Sequence, residues 1–196
     1  PLVPACDLYR YATQTVFGEG DPRAAVMLVG EQPGNAEDLA GRPFVGPAGK
    51  LLERAMAEAG LSREAAYVTN VVKHFKWELR GKRRLHKSPA QKEIDACRPW
   101  LEAEMAAVGP ALIVCLGVTA THALIPGRPV LADLRGRILP SSGGRPALLA
   151  TVHPSYVLRL RSERRSRAFA GLVADLAVAA RFLKARSGTP ASSVSR

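Results

Sequence analysis

The chain has 196 residues, of which 47% are hydrophobic and 23% are charged, and this composition suits one globular domain with a full core. Lys and Arg number 28 against 17 Asp and Glu, so the net charge of +11 points to a polyanion such as nucleic acid, with an anionic membrane surface as the competing partner. The lack of a signal segment or of an apolar run of about 18 residues excludes a membrane span and predicts a soluble, cytoplasmic protein, and three cysteines are too few for a disulfide framework.

Four short apolar runs predict parallel strands that are buried on both faces. They lie at 24–30, 66–72, 111–117 and 147–153. Helical spacing of apolar residues predicts helices at 47–60, 89–107, 118–125 and 163–186, and Ser88 before Pro89 is the expected cap of the second. We therefore expect an α/β fold: a single domain over residues 1–186 with a four-stranded parallel sheet flanked by helices, followed by a disordered tail at 187–196.

Polar motifs follow each predicted strand, and in a doubly wound sheet these carboxyl ends form the binding crevice. The motifs are G-E-Q-P-G, T-N-V-V-K-H, L-G-V-T-A and V-H-P-S-Y. A second glycine-rich segment, G-R-P-F-V-G-P-A-G, occupies residues 41–49. Neither glycine-rich segment matches a P-loop or a dinucleotide fingerprint, so these turns alone do not predict a phosphate site.

One histidine, His86, lies in the basic run R-G-K-R-R-L-H-K-S-P at residues 80–89. A cationic neighbourhood disfavours a further positive charge, which favours a neutral imidazole that can act as a base or a nucleophile. The alternative is a solvated basic loop that contacts phosphates and in which the histidine is incidental. The cations nearest to His86 in sequence are Lys82, Arg83, Arg84 and Lys87.

Taken together, these segments resemble the uracil-DNA glycosylase superfamily, specifically its iron–sulfur branch, from about Cys6 to the helix that ends near residue 185. The resemblance rests on T-V-F-G-E-G, G-E-Q-P-G-N-A-E-D-L-A-G-R-P-F-V-G-P-A-G-K-L-L, Y-V-T-N-V-V-K and T-V-H-P-S-Y-V-L-R, in that order. Gln32 and the loop K-R-R-L-H are similar to the UdgX subgroup, which excises uracil and then remains covalently attached to the abasic sugar. Leu85 stands where that subgroup usually has isoleucine, a change that conserves volume.

The resemblance implies that three residues bind the flipped uracil. Phe44 would stack on the base, Asn70 would hydrogen-bond its Watson–Crick edge, and His153 would donate to the carbonyl that gathers negative charge. Considered singly, Phe44 could equally be a core aromatic, Asn70 a strand-end cap and His153 a buried histidine with satisfied hydrogen bonds. Their joint occurrence in the family's order favours the functional interpretation.

The resemblance also implies the groups that act on the sugar. Glu31 and Asp38 would stabilise the sugar cation, position water or orient an imidazole, although Asp38 could instead be a solvated loop charge. Gln32 would help to shape the pocket, and His86 would attack C1′ as the covalent nucleophile. The cations beside His86, namely Lys82, Arg83, Arg84 and Lys87, would bind the flanking phosphates.

A 4Fe–4S cluster is the implied cofactor, with Cys6, His74 and Cys97 at three of the four ligand positions. The first position holds Val3, which cannot bind iron, so the fourth ligand is another group or water, or the cluster is labile or absent. The alternative is that Cys6 and Cys97 are two ordinary buried thiols. Cys115, inside an apolar strand, is expected to be a buried free cysteine.

The sequence thus predicts a monomer that acts on uracil-containing DNA, preferably single-stranded, and that excises uracil before its own covalent attachment to the sugar. Two alternatives stay open. One is a glycosylase that turns over and releases abasic DNA, and the other is a basic nucleic-acid-binding module without catalysis.

Overall fold

A six-stranded mixed sheet forms the centre of the protein in the computed structural model, which describes residues 6–140 and 143–187. Its strand order is β1-β3-β2-β6-β8-β7, and a separate hairpin contains β4 and β5. The strands are β1 (Glu19–Gly20), β2 (Val26–Gly30), β3 (Ala66–Asn70), β4 (Trp77–Arg80), β5 (Arg83–His86), β6 (Leu112–Leu116), β7 (Ile138–Leu139) and β8 (Ala147–Thr151).

The predicted four-stranded parallel sheet is confirmed as the core of this larger sheet. Strands β3, β2, β6 and β8 pair in parallel, and every residue of β2 and β6 is buried, as their continuous apolar sequences require. The structure adds antiparallel strands at both edges, β1 and β7. Each has only two residues, which is too short for a hydrophobic period to register in the sequence.

Helices cover both faces of the sheet, as predicted. They are α1 (Asn35–Ala40), α2 (Pro47–Ala59), α3 (Gln91–Val108), α4 (Val118–Leu124), α5 (Leu131–Leu134), α6 (Pro154–Arg159) and α7 (Ser162–Ser187), preceded by a 3₁₀ turn at Asp7–Arg10. Because side chains alternate along a strand, Leu28 of β2 joins a core with α2 and α7, whereas Met27 joins a second core with α3 and α4. Val3 and, apart from Ser187 at the end of α7, the predicted tail lie outside the described residues.

Two local predictions were wrong. Ala90, and not Ser88, caps α3, and the Glu93 carboxylate accepts a hydrogen bond from the Ala90 N–H. The basic run is also not an irregular loop, because β4 and β5 pair antiparallel across Gly81, whose φ of 62° suits a tight turn. His86 therefore ends a strand, opposite Trp77. Within the part of the chain that the structure describes, no helix is long and apolar enough to cross a membrane.

Candidate functional site

A cavity of about 780 Å³ lies at the carboxyl ends of the parallel strands, where the topology brings the predicted motifs together. Most of the predicted catalytic and uracil-binding residues line it: Glu31, Gln32, Phe44, Asn70, His86 and His153. The walls also contain Thr119 and Ser155, which the sequence reasoning missed. Asp38 and the four predicted phosphate contacts do not line the cavity.

Phe44, Asn70 and His153 converge from three segments of the chain. The rings of Phe44 and His153 lie 6.2 Å apart with an interplanar angle of 31°. Asn70 is buried at the end of β3, with its side chain directed toward the space beside Gly30. An aromatic face, an amide and an imidazole thus border one space, which is the arrangement that stacking on a planar base and reading its polar edge require.

Two glycines allow this close approach. A Cβ atom at Gly30 would lie 2.4 Å from Asn70 Oδ1 and 2.8 Å from Phe44 Cζ. A Cβ atom at Gly49 would lie 1.6 Å from the carbonyl oxygen of Phe44, whose φ of 56° is itself in the left-handed region. The glycine-rich motifs therefore allow close packing around Phe44. From the sequence alone these glycines were interpreted only as turn residues.

His153 is held as a neutral imidazole. Burial lowers its pKa from the ordinary value of 6.5 to about 4, and the nearby Glu31 carboxylate only partly opposes this shift. His153 caps α6, and its Nδ1 accepts a hydrogen bond of 3.1 Å from the Ser155 N–H. Because Nδ1 is the acceptor, the proton resides on Nε2, so the ring can act as a hydrogen-bond donor through that atom.

Glu31 and His86 form the second polar group of the cavity. His86 Nε2 lies 3.2 Å from Glu31 Oε1, and the Thr119 hydroxyl donates to Glu31 Oε2. Burial raises the pKa of Glu31, but the hydrogen bonds from His86 and Thr119 together outweigh it, so the net pKa is lowered. A fixed carboxylate anion therefore stands beside an imidazole whose side chain is 47% exposed and open to a ligand.

Gln32 holds the hairpin that contains His86. Its Nε2 donates to the carbonyl oxygens of Lys76 (3.1 Å) and Lys87 (3.2 Å), and its Oε1 accepts from the Lys76 N–H (3.3 Å). These residues immediately flank the hairpin. Gln32 can therefore shape the pocket in a specific way: its buried side-chain amide connects both ends of the hairpin to the loop after β2.

Asp38 lies outside the cavity and has no exposed side-chain surface, so the alternative of a solvated loop charge is wrong. Its Oδ2 pairs with Arg84 Nη1 at 2.7 Å, and its Oδ1 accepts from the Thr13 N–H at 2.9 Å. Arg84 also donates to Asn35 Oδ1 at 2.8 Å. These contacts place Arg84 in an internal network that fixes the hairpin, and they leave it less available to phosphates than predicted.

The remaining basic residues of the hairpin face solvent. Lys82 and Arg83 are exposed at its tip, and no hydrogen bond or ion pair is recorded for their side chains among the described residues. Lys87 forms an exposed ion pair of 2.9 Å with Glu78. Lys82 and Arg83, together with the exposed Arg80 at the end of β4, are thus the cations at the tip of the hairpin that an anion can reach.

A buried Cys/His triad lies apart from the cavity lining. The ligand atoms of Cys6, His74 and Cys97 all lie within 4.8 Å of one another. His74 Nε2 lies 2.9 Å from the Thr15 hydroxyl, while its buried Nδ1 has no hydrogen-bond partner in the described structure. A hydrogen bond from Cys97 lowers the pKa of Cys6 despite the burial of its thiol, which favours a thiolate at one position of the triad.

This donor set fits three ligands of an iron–sulfur group, because the sulfur atoms of two thiols and an imidazole nitrogen all lie within 4.8 Å of one another. The predicted first ligand position, Val3, is aliphatic and lies outside the described residues. Cys115 lies within β6 and is a buried free thiol, as predicted, and burial raises its pKa to about 12.

Comparisons with known proteins find similarity to uracil-DNA glycosylases along most of this chain. A family model of the uracil DNA glycosylase superfamily matches residues 17–177. A type-4 uracil-DNA glycosylase of Thermotoga maritima is 38% identical over 181 residues, which cover 92% of this chain and 88% of the relative. The type-4 enzyme of Pyrobaculum aerophilum is 38% identical over 160 residues, covering 79% and 78%. A type-5 uracil-DNA glycosylase of Thermus thermophilus is 32% identical over 164 residues, covering 74% and 71%.

Proposed function

This chain belongs to the uracil DNA glycosylase superfamily, and from its site we propose that it excises uracil from DNA and then becomes covalently attached to the abasic sugar. The observation that carries the excision step is the convergence of Phe44, Asn70 and a neutral His153 on one cavity. Its similarity to type-4 uracil-DNA glycosylases supports uracil in DNA as the substrate.

Excision breaks the bond between C1′ and N1, and the bonding electrons leave with uracil. Phe44 stacks on the extruded base and Asn70 pairs with its polar edge. The Nε2–H of His153 donates to the carbonyl oxygen on which negative charge develops, and it stabilises this charge without itself carrying a positive one. The Glu31 carboxylate offers the opposite charge to the sugar cation.

His86 is proposed as the nucleophile that captures this cation. As the Nε2–H proton passes to Glu31, whose Oε1 lies 3.2 Å away, the electron pair that the N–H bond leaves on Nε2 forms the new bond to C1′. An imidazole held in contact has an effective concentration of about 10⁵ M or more in well-oriented cases, so it outcompetes water. Gln32 and the Asp38–Arg84 pair support this step because they fix the hairpin on which His86 lies.

The second candidate is a glycosylase that turns over, which the similarity to type-4 uracil-DNA glycosylases favours. Wild-type protein is incubated with a single-stranded uracil oligonucleotide, boiled and analysed on a denaturing gel. A slow band that survives boiling supports covalent capture, free abasic DNA supports turnover, and neither product supports a DNA-binding module without catalysis.

Two variants separate the steps. His86→Ser removes the nucleophile and admits water, so we expect loss of the adduct and multiple-turnover release of uracil. His153→Ala removes the donor to the leaving base, so excision and adduct are both lost. Uracil release by His153→Ala at the wild-type rate would contradict the assignment of the excision step.

We also propose a 4Fe–4S cluster held by Cys6, His74 Nδ1 and Cys97, with a fourth ligand that the described residues do not supply. The buried Nδ1 of His74, which has no hydrogen-bond partner among the described residues, supports this proposal. When bound, such a group would tie together the N-terminal segment, the loop after β3 and α3. Iron and acid-labile sulfide, measured on protein purified anaerobically, test the assignment.

The proposed substrate is single-stranded DNA, bound by a monomer. A flipped base costs least when it has no pairing partner, and all the site residues come from one chain. Initial rates on single-stranded and duplex uracil substrates, together with the mass of the protein in solution, test these two points.

A further inference from the structure

A lysine, Lys73, is fully buried at the end of the motif Y-V-T-N-V-V-K, and it has no part in the proposed chemistry. A buried ammonium group is costly unless a counter-ion and hydrogen bonds compensate it. The Nζ atom of Lys73 donates to three oxygen atoms: Glu104 Oε2 at 2.6 Å, the carbonyl oxygen of Asn70 at 2.7 Å and Thr69 Oγ1 at 2.8 Å. All three N–H groups of the ammonium therefore have acceptors within the protein.

Glu104, on α3, is the counter-ion of this lysine, and its carboxylate accepts further hydrogen bonds. Its Oε1 accepts from the Gly18 N–H at 2.7 Å, and its Oε2 accepts from the Thr69 hydroxyl at 2.7 Å. Gly18 belongs to the motif T-V-F-G-E-G, and Thr69 belongs to β3. The carboxylate thus joins α3 to two motifs that are distant in sequence. We refer to Lys73 and Glu104 as the Lys73–Glu104 pair.

The pair holds the peptide group that follows Asn70. The oxygen of this peptide group accepts from Lys73 Nζ, and its N–H, which belongs to Val71, donates to the Gly30 carbonyl oxygen at 2.9 Å. The peptide group is therefore fixed on both sides. Gly30 is also the residue beside which the Asn70 side chain lies. Because side-chain rotamers depend on the backbone dihedral angles, fixing this peptide group also restricts the direction of the Asn70 amide.

The Asn70 amide needs such support for its role in the cavity. Hydrogen bonds to the polar edge of a base require donor–acceptor distances of about 2.7–3.2 Å and good alignment. A misplacement of about 1 Å can cost about 100-fold in rate. Lys73 and Glu104 are not among the residues that line the cavity, so an effect of the pair on uracil has to pass through Asn70.

We propose that the Lys73–Glu104 pair is the positioning unit for Asn70. The ammonium fixes the carbonyl oxygen of Asn70, and Glu104 fixes the ammonium, so that the amide is already oriented when the base enters the cavity. Lys73 and Glu104 are positioning residues, and neither touches the substrate. This inference rests on the proposed function, because it takes uracil as the group that Asn70 binds.

A double-mutant cycle separates positioning of Asn70 from stabilisation of the fold. Lys73→Met/Glu104→Gln, the pair variant, removes both charges together, so that no buried charge is left unpaired. Asn70→Ala removes the group that the pair positions, and a further variant combines all three changes. Leu176→Ala is the control, because it opens a cavity in the core between α2 and α7, away from the residues that line the site. Circular dichroism checks that every variant is folded at the assay temperature.

The rate of uracil release is measured in a single turnover, with the protein in excess over single-stranded uracil DNA. The pair variant should release uracil at least about tenfold more slowly than wild type. In the Asn70→Ala background the same two changes should slow release by less than about twofold, since the group that they position is gone. The control should match wild type. Equal slowing by the pair changes in both backgrounds, or no slowing in either, overturns the proposal.

Hydrogen exchange tests the placement without any excision. In the pair variant, the ratio of the exchange rate of the Val71 amide to that of the Leu28 amide, within β2, should rise about tenfold over wild type, because the peptide group after Asn70 opens locally. Equal acceleration of both amides would show a general loss of stability and overturns the proposal. If wild type excises no uracil, the proposed function fails, while the exchange of Val71 still decides whether the pair holds Asn70.

Iron analysis separates the pair from the Cys/His triad, which lies next to it in sequence. Lys73 contacts the triad through its backbone, whose N–H donates to the Cys97 thiol, and substitution of the side chain leaves this group in place. The pair variant should therefore contain as much iron as wild type. Loss of iron that accompanies the slower release would assign the effect to the triad and overturns the proposal.

Discussion

Replacing Asp38 with Ala should loosen the hairpin that contains His86. The change removes the 2.7 Å ion pair with Arg84 and the 2.9 Å hydrogen bond from the Thr13 N–H. Loss of one partner of a buried pair costs about 3–5 kcal/mol, and the lower end applies because Arg84 is 18% exposed and keeps its bond to Asn35. At about 2–4 °C per kcal/mol for a chain of this size, the melting temperature should fall by about 6–12 °C.

Glu78→Ala is the matched control, since it breaks an ion pair in the same hairpin between side chains that are more than half exposed. Such pairs contribute at most about 1 kcal/mol. Urea denaturation of both variants gives the free energy of unfolding, and the denaturing gel gives the rate of adduct formation. We expect Asp38→Ala to be the less stable variant and the slower to form the adduct. Equal stability of the two variants would refute the reasoning.

Three further outcomes are expected. Thr119→Val removes a hydrogen bond that lowers the pKa of Glu31, so the acid limb of the pH–rate profile should move to higher pH; an unmoved limb would show that Glu31 does not control it. The pKa of His153 is lowered to about 4, so between pH 6.5 and 4 the unfolded chain binds a proton that the native protein does not. The free energy of unfolding should therefore fall with decreasing pH by up to about 3 kcal/mol. Denaturation of His153→Gln across this pH range should show a smaller loss. Cys97→Ala should abolish iron binding in metal analysis, whereas Cys115→Ala should retain it, because Cys115 lies outside the triad; equal iron in both would contradict the ligand set.

The parallel core of the fold was predictable because strands buried on both faces leave a continuous apolar signal in the sequence. The edge strands β1 and β7 were not, since a two-residue strand has no period. The hairpin was mistaken for a loop because only one turn glycine, Gly81, separates two strands dense in charge, and exposed strands have no hydrophobic face to reveal them.

The cavity residues were predictable as a set from the resemblance of the strand-end motifs to the uracil-DNA glycosylase superfamily, but the partners that orient them were not. Thr119 reaches Glu31 across 88 positions of sequence, and Arg84 reaches Asp38 across 46. Such contacts depend on the tertiary fold, and a threonine after a strand is otherwise unremarkable. Asp38 is an example. The resemblance implied that it acts near the sugar, whereas in the structure its buried carboxylate pairs with Arg84 of the hairpin.

The most direct test of the central claim is to locate the bond between protein and DNA. Wild-type protein is reacted with single-stranded uracil DNA, the adduct is digested with protease and nuclease, and the linked peptide is sequenced by mass spectrometry. We predict a deoxyribose remnant, without uracil, on the imidazole of His86. A remnant on another residue such as Lys82, or complete conversion to free abasic DNA with no linked peptide, would contradict capture of the sugar by His86.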